Sequence, residues 1–99
     1  MKLKFKLSRL ALQDIDGIWT YTAEQWSKAQ ANNYYKTIFK EIEQICINPQ
    51  IGKSIHQVKV NHRLHLVKTH VIIYKTEKEV VYIDRVLHQR MDIDNLLKE

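Results

Sequence analysis

The dipeptide Asn48-Pro49 divides this 99-residue chain into two parts with different apolar periodicities. Before it, apolar residues recur every three or four positions, which is typical of helices that bury one face. After residue 60 they alternate with polar residues or run without interruption, which is typical of strands. Because proline disfavours the helical conformation of the residue before it, the helical part is expected to end at Asn48. The pattern predicts helices first and a sheet second.

The N-terminal part is predicted to contain one strand and two helices. Residues 2–7 alternate lysine with leucine or phenylalanine, as a half-buried strand does. Ser8 is the expected N-cap of a first helix over roughly residues 9–26, and a second helix covers residues 28–47. Glycine inside a helix costs about 1 kcal/mol relative to alanine. Gly17 therefore either indicates close packing against the next element or has no special role.

After a loop over residues 50–60, the sequence predicts an antiparallel meander of three strands, with turns near residues 68–69 and 77–78. The predicted fold class is α+β: an N-terminal strand, a two-helix hairpin, then a three-stranded antiparallel meander. A chain of this length is expected to form a single domain over residues 1–99. The last segment is expected to dock on the body through Ile93, Leu96 and Leu97.

The charge of the chain is +5 and is unevenly distributed. No carboxylate occurs between Glu43 and Glu77, while five lysines or arginines and four histidines do. Such a segment indicates a phosphate backbone or an acidic protein as a partner, although a solvated basic face is the open alternative. The single Cys46 excludes an intrachain disulfide and is expected in the core. With no long apolar run and no signal-peptide block, we expect a cytoplasmic protein without membrane contact.

The most informative candidate site is the run Arg-Val-Leu-His-Gln-Arg-Met-Asp at residues 85–92. It joins an apolar strand to a cation-rich exit, so Arg85, His88 and Arg90 are expected at fixed positions near the strand end. Side chains held in this way are preorganised for a partner.

This run resembles the C-terminal signature of the ParE toxins, a branch of the RelE/ParE superfamily of bacterial toxin–antitoxin systems. The similarity extends over some nine-tenths of the chain, in family order and spacing. The family often has glycine at two hairpin positions where this chain has Asn61 or His62 and Thr69, which leaves the turn geometry there open. The other matching residues are Leu7-Ser8, Ala11, Asp14-Ile15, Ile18, Tyr21-Thr22, Trp26, Gln30-Ala31, Tyr34, Asn48-Pro49, Gly52, Arg63 and residues 70–74.

The resemblance implies one of two activities. RelE-type toxins are ribosome-dependent mRNA endonucleases, which need an acid, a base and cations around the phosphate. Arg63 and Arg85 could supply cations and His65, His70 or His88 could titrate. Against this, we expect His65 on the opposite sheet face from Arg63, and residues 91–99 contain no tyrosine or histidine where RelE-type nucleases tend to carry one.

Each charged residue also has a purely structural interpretation. Arg63 and Arg85 could be paired with Asp84 or with a C-terminal carboxylate, because a half-buried arginine needs a partner. Asp14 and Asp16 could simply favour the dipole of the first helix. His70, at the start of a strand, is expected to be a hydrogen-bonding turn residue. No spacing typical of a metal or cofactor site is present, so we expect none.

The ParE resemblance implies a non-enzymatic toxin that inhibits DNA gyrase and is neutralised by an acidic, ParD-like antitoxin. We expect no direct contact with nucleic acid. A RelE-like nuclease and an inert relic are the alternatives. The target-binding residues are predicted to be Arg85, His88, Arg90 and Met91. The antitoxin-binding residues are predicted to be Arg63, Arg85, Phe5, Trp19 and Trp26.

Overall fold

The computed structural model describes residues 2–98, over which five strands form one sheet with three helices around it. The strand order is β1-β5-β4-β3-β2; β1 runs parallel to β5, and all the other neighbours are antiparallel. Within this range no helix combines the length and apolar content needed to cross a membrane. The elements are β1 (Lys4–Leu7), α1 (Arg9–Gln25), α2 (Lys28–Ile47), β2 (Lys53–Ser54), β3 (Arg63–Val67), β4 (His70–Glu77), β5 (Val80–His88) and α3 (Ile93–Leu97).

The predicted α+β class, helical hairpin and meander are confirmed. Ser8 caps α1, because its hydroxyl oxygen accepts the backbone N–H of Ala11. The sequence analysis missed β2, which pairs with the first two residues of β3 and lies within the predicted loop 50–60. Two residues are too few to show a strand periodicity, so the pattern could not reveal it.

Two apolar clusters lie on opposite faces of the sheet. Helices α1 and α2 cover the larger one, which contains Cys46 as expected, together with Ile15, Ile42 and Ile72. The smaller one, on the other face, is closed by α3: Leu97 is buried and Ile93 packs against the cluster. Leu96 was expected to dock as well but is 37% exposed, because a short helix of this kind turns only part of its surface to the sheet.

Within residues 2–98, left-handed backbone occurs at three non-glycine residues, each next to the start of a strand or inside a turn. The φ angles are 65° at Asn61, 52° at Lys68 and 57° at Lys78. Asn61 therefore takes the conformation that glycine often supplies in the ParE toxins. In the β3–β4 turn the left-handed residue is Lys68, so the β-branched Thr69 avoids the strained region.

A β-bulge interrupts the pairing of β4 with β5. Ile73 lies opposite Arg85 and Tyr74 lies opposite Ile83, so Asp84 has no partner position. The extra residue shifts the alternation of side chains. As a result Ile83 and Val86, three positions apart, both reach the core beneath the helices. The bulge thereby sets the direction of Arg85.

Candidate functional site

An open, largely apolar groove of about 660 Å³ lies between the second half of α1, the β3–β4 turn and the end of β5. Gly17 leaves the groove unfilled: apart from its chain neighbours and the adjacent backbone of α1, no atom of residues 2–98 lies within 4 Å of the position that a Cβ would take there. The close packing that the sequence left possible for Gly17 is therefore absent. The groove is lined by Gln13, Asp14, Gly17, Ile18, Tyr21, Thr22, Trp26, Gln30, Tyr34, Lys68, Thr69, His70, Val86, Leu87, His88 and Met91.

Large apolar side chains line the groove but are left open to solvent. Tyr21 is 63% exposed, Trp26 is 70% exposed and Met91 is 48% exposed. Soluble proteins rarely expose several such side chains side by side unless another molecule covers them. Aromatic residues and methionine are also the side chains enriched at the centres of protein interfaces. The groove therefore has the composition of a protein-binding surface.

A cluster of Tyr34, His70 and His88 forms the polar end of the groove. The Tyr34 hydroxyl lies 2.6 Å from Nδ1 of His70 and 3.2 Å from the carbonyl oxygen of Val67. The two histidine rings meet edge to face, with centroids 5.2 Å apart. Burial, with a smaller contribution from His88, lowers the pKa of His70 to about 4. His70 is thus the hydrogen-bonding residue at a strand start that the sequence predicted, and it is neutral at pH 7.

This neutral histidine makes the folded state sensitive to acid. A histidine with pKa about 4 in the folded state and about 6.5 when unfolded stabilises the fold fully above pH 6.5. That contribution decreases as the pH falls towards 4, because the unfolded chain then binds the extra proton. When the pH is lowered from 7 to 4.5, we expect the free energy of unfolding of the wild type to fall by about 1–2 kcal/mol more than that of His70→Asn. Urea denaturation at the two pH values measures this, with the exposed His56→Asn as the control that keeps the wild-type loss.

Beside the groove, Arg85 forms an ion pair with Asp14 of α1. The Arg85 Nε donates to Asp14 Oδ2 at 2.8 Å and Nη2 donates to Oδ1 at 3.0 Å, and the backbone N–H of Val86 also donates to Oδ2. Both side chains are more than four-fifths buried, and the hydrogen bonds to Asp14 raise the pKa of Arg85 above its ordinary value. This geometry ties α1 to the strand on which the candidate site lies.

The structure corrects three expectations about these charges. Arg85 pairs with Asp14 and not with Asp84, because the bulge turns it towards α1, and the C-terminal carboxylate lies outside the described residues. Asp14 consequently does more than favour the helix dipole. Asp84 is instead 2.6 Å from Nζ of Lys59. Arg63 has no carboxylate partner among residues 2–98; its Nη1 donates to the carbonyl oxygen of Gly52 at 2.7 Å.

The outer edge of β5 is partly open beside the groove. β1 pairs only with residues 80–83, so the rest of β5 has no strand neighbour on that side within the described chain. Asp14 accepts from the N–H of Val86, and the Ser8 hydroxyl donates to the carbonyl oxygen of Asp84. These bonds already occupy the edge at Asp84 and Val86, so only the end of β5 beyond Val86 is left for a partner strand, whereas the apolar groove beside it can accept a helix.

The groove brings together some of the predicted site residues and separates others. His88, Met91 and Trp26 line it. Arg90 is exposed just beyond it, and its backbone N–H donates to His88 Nδ1. Arg85 lies behind the groove with Asp14. Two predicted antitoxin contacts are engaged within the fold: Phe5 packs against Phe39, and the Trp19 Nε1 donates to Asn32.

We had expected Arg63 and His65 on opposite faces of the sheet, but the structure places both on the same face. They lie opposite Tyr74 and Ile72, both part of the core beneath the helices, so alternation places both side chains on that same face. His65 Nε2 is 2.7 Å from Glu41 of α2, so this ring is already paired. Arg63 lies two strands away from β5, on which Arg85 turns to Asp14. The candidate nuclease groups therefore do not meet at one point.

Sequence analysis did not single out Tyr21, Tyr34 or Lys68 as groove residues. Trp26 continues the apolar stripe of α1, and the periodicity predicts that this stripe is buried in the core. In the structure, Ala11 and Ile15 near the start of the stripe are buried, but Trp26 at its end is exposed. The sequence contained one signal of this exposure. The apolar stripe of α1 is longer in sequence than the strands, and it ends in a large aromatic residue.

Two glycines are expected to respond oppositely to alanine. Gly17→Ala should raise the free energy of unfolding by up to about 1 kcal/mol, because alanine favours the helix and its Cβ meets nothing. Gly52→Ala should lower it by about 1–3 kcal/mol, because a Cβ there would lie 2.6 Å from the Tyr74 hydroxyl and 3.1 Å from the Leu64 carbonyl oxygen. Chemical denaturation tests both; a loss of stability in Gly17→Ala would contradict the open groove.

Comparison with known proteins connects this chain with one family. A family model described as the ParE toxin of the type II toxin–antitoxin system parDE matches residues 5–93. The chain is 31% identical to Toxin ParE1 of Mycobacterium tuberculosis, covering 98% of this chain and 100% of that protein. It is 35% identical to Toxin ParE1 of Caulobacter vibrioides, covering 89% and 91% of the two chains.

A solved structure described as the chromosomal ParDE toxin–antitoxin system from P. aeruginosa has the same fold. The TM-score is 0.76, and the match covers 88% of this chain and 96% of the other. Because only 13% of the aligned residues are identical, this likeness supports the fold and nothing finer.

Proposed function

Because the chain belongs to the ParE toxin family of type II toxin–antitoxin systems, we propose that it arrests growth by binding DNA gyrase and that a cognate antitoxin neutralises it. The single observation that carries this proposal is the open groove, in which Tyr21, Trp26 and Met91 remain uncovered beside His88. A chain with such a surface binds another protein. The rest of the proposal assigns the two partners.

The antitoxin fills the groove with an amphipathic helix. The second half of α1 supplies one wall and the end of β5 the other, and the gap above Gly17 accommodates apolar side chains of the incoming helix. The short edge of β5 beyond Val86 accepts an added strand of the antitoxin. An acidic antitoxin also suits the cations at the rim, Lys68 and Arg90, and the net charge of +5. Trp26 contacts the antitoxin directly, whereas Arg85 contributes by holding α1 in place.

Gyrase is contacted by the C-terminal end of β5 and the residues after it. His88 and Met91 lie in the groove and Arg90 lies next to it, so the target surface and the antitoxin surface overlap. Overlap explains neutralisation without any change of shape: a bound antitoxin covers the residues that gyrase would need. Arg85 supports this surface through its ion pair with Asp14.

The arrangement of charged residues supports a binding role over RNA cleavage. A metal-independent nuclease needs its acid, base and cations at one phosphate. Here Arg85 is held by Asp14, His65 by Glu41, and Arg63 lies near Gly52 at the start of β3. The neutral His70 is bonded to Tyr34 at the opposite end of the strand pair. These groups are dispersed and mostly paired.

Inducible expression with an SOS reporter tests the proposal. We expect growth arrest with SOS induction, and rescue by co-expression of the cognate antitoxin. The double variant Arg90→Ala/Met91→Ala should relieve the arrest, while Lys36→Ala/Lys40→Ala, two exposed changes on α2, should not. Arrest without SOS induction would favour the RelE-like activity, and no arrest at normal protein levels would favour an inert relic; either result contradicts the proposal.

A further inference from the structure

Arg63 is a half-buried cation whose charge is not balanced within the described chain. Its guanidinium makes one hydrogen bond, from Nη1 to the carbonyl oxygen of Gly52, and no ion pair. Arg85 differs in this respect, because it is also partly buried but is held by both oxygens of Asp14. A partly desolvated charge without a counter-ion is costly. Arg63 therefore has donors available for an anion from outside the chain.

These donors line a polar pocket of about 450 Å³ at the start of β3 and the end of β4. His56 Nδ1 accepts the backbone N–H of Asn61 at 3.0 Å, so the ring proton sits on Nε2, which is left to donate. Lys75 adds a second positive charge. No carboxylate occurs among the lining residues, which are Pro49, Gln50, Ser54, His56, Asn61, His62, Arg63, Lys75 and Thr76.

A second pocket adjoins the first and continues its cationic lining. His62 and Lys75 line both pockets, and Lys6, Ser8 and Tyr82 extend the lining across β5 to β1. Lys75 lies over the Tyr82 ring, with Nζ 5.8 Å from the centroid. One carboxylate, Asp84, lines the second pocket, but its charge is balanced by Lys59 at 2.6 Å. Glu77, 3.3 Å from Lys75, is exposed and is not among the lining residues of either pocket.

We propose that this track, defined by Arg63, His56, Lys75 and Lys6, binds successive phosphates of a DNA backbone. The inference goes beyond the proposed function and departs from the expectation that the chain makes no direct contact with nucleic acid. Three cations over two adjoining pockets, Arg63, Lys75 and Lys6, with the His56 ring as a neutral donor, suit a polyanion with evenly spaced charges better than a single carboxylate of an acidic protein. Arginine in particular offers two parallel donors to phosphate oxygens.

The track is separate from the groove. The groove uses His70 at the start of β4 and the track uses Lys75 near its end, about 17 Å away at about 3.4 Å per residue. A toxin bound to its target through the groove end could therefore touch DNA with the opposite end of the same sheet. DNA held by a topoisomerase is the polyanion that such a geometry would meet.

Fluorescence anisotropy of a labelled 20-base-pair duplex with the purified toxin tests the proposal without gyrase in the assay. With about three phosphate contacts, the affinity should fall roughly 40-fold between 50 and 200 mM salt. Arg63→Gln should weaken binding about tenfold and reduce the salt slope by about one. Lys75→Gln, at a side chain that is 34% exposed, should act similarly and serves if Arg63→Gln folds poorly by circular dichroism.

The matched control is Lys36→Gln, which removes the same charge from the exposed face of α2. It should leave the affinity within about twofold of the wild type, since it lies outside the track. No measurable binding at 50 mM salt, or equal losses in Lys36→Gln and Lys75→Gln, would overturn the proposal. So would a normal DNA affinity of Arg63→Gln combined with weaker antitoxin binding, because the pocket would then hold a carboxylate of the antitoxin. None of these results depends on whether gyrase is the target.

Discussion

Replacing Asp14 by alanine should lower the free energy of unfolding by about 3–5 kcal/mol, a large part of the stability of a domain of this size. The change leaves the Arg85 guanidinium and the Val86 N–H without the partner that both now share. Both side chains of the ion pair are largely buried, so water cannot fully replace the lost carboxylate. We expect α1 to loosen from β5 and the groove to lose one wall.

Urea denaturation followed by circular dichroism measures this effect, and two further variants make it specific. Asp16→Ala, two residues along the same helix and exposed, should change stability by less than about 0.5 kcal/mol. The double variant Asp14→Leu/Arg85→Met should recover much of the loss, because it removes both charges together. Similar effects of Asp14→Ala and Asp16→Ala would show that the ion pair does not hold α1 to the sheet.

Placing a bulky side chain at Gly17 should weaken binding of the cognate antitoxin by at least about 100-fold, equivalent to about 2.7 kcal/mol. Nothing lies within 4 Å of the Cβ position, so Gly17→Trp should fold normally and project its ring into the space that the antitoxin helix would occupy. The purified cognate antitoxin is the ligand to use. Isothermal titration calorimetry gives the affinity.

Two controls separate obstruction of the groove from a general effect on α1. Gly17→Ala should keep antitoxin affinity within a few-fold of the wild type. Leu12→Trp adds an aromatic ring on the same helix at an exposed residue outside the groove lining, and should also bind normally. Unaltered affinity of Gly17→Trp would move the antitoxin site away from the groove, whereas a loss shared with Leu12→Trp would indicate damage to the helix itself.

Sequence reasoning was sufficient for the elements that are long and periodic. The bounds of α2 match the prediction, because twenty residues carry enough turns of the apolar stripe and Pro49 prevents its extension. It was insufficient for β2, which is two residues long, and for the bulge at Asp84, which depends on the register of β4. The pairing of Arg85 with Asp14 joins residues 71 positions apart, which no local pattern encodes.

The candidate site was predictable in part for the same reason. Residues 85–92 were recognisable as a unit because they are consecutive, and His88 and Met91 do line the groove. Trp26, Tyr34 and Gly17 join them only through the packing of α1 and α2 across the sheet. The roles assigned to Arg63, Phe5 and Trp19 in antitoxin binding stay predictions, although the latter two side chains are already engaged within the fold.

The central claim, that this ParE toxin acts by binding gyrase and not by cleaving RNA, is tested most directly by gyrase supercoiling with purified components. We expect the toxin to inhibit supercoiling at concentrations comparable to that of gyrase, and we expect prior addition of the antitoxin to prevent the inhibition. In parallel, ribosomes with bound mRNA should show no toxin-dependent cleavage. Unchanged supercoiling together with cleaved mRNA on the ribosome would contradict the account.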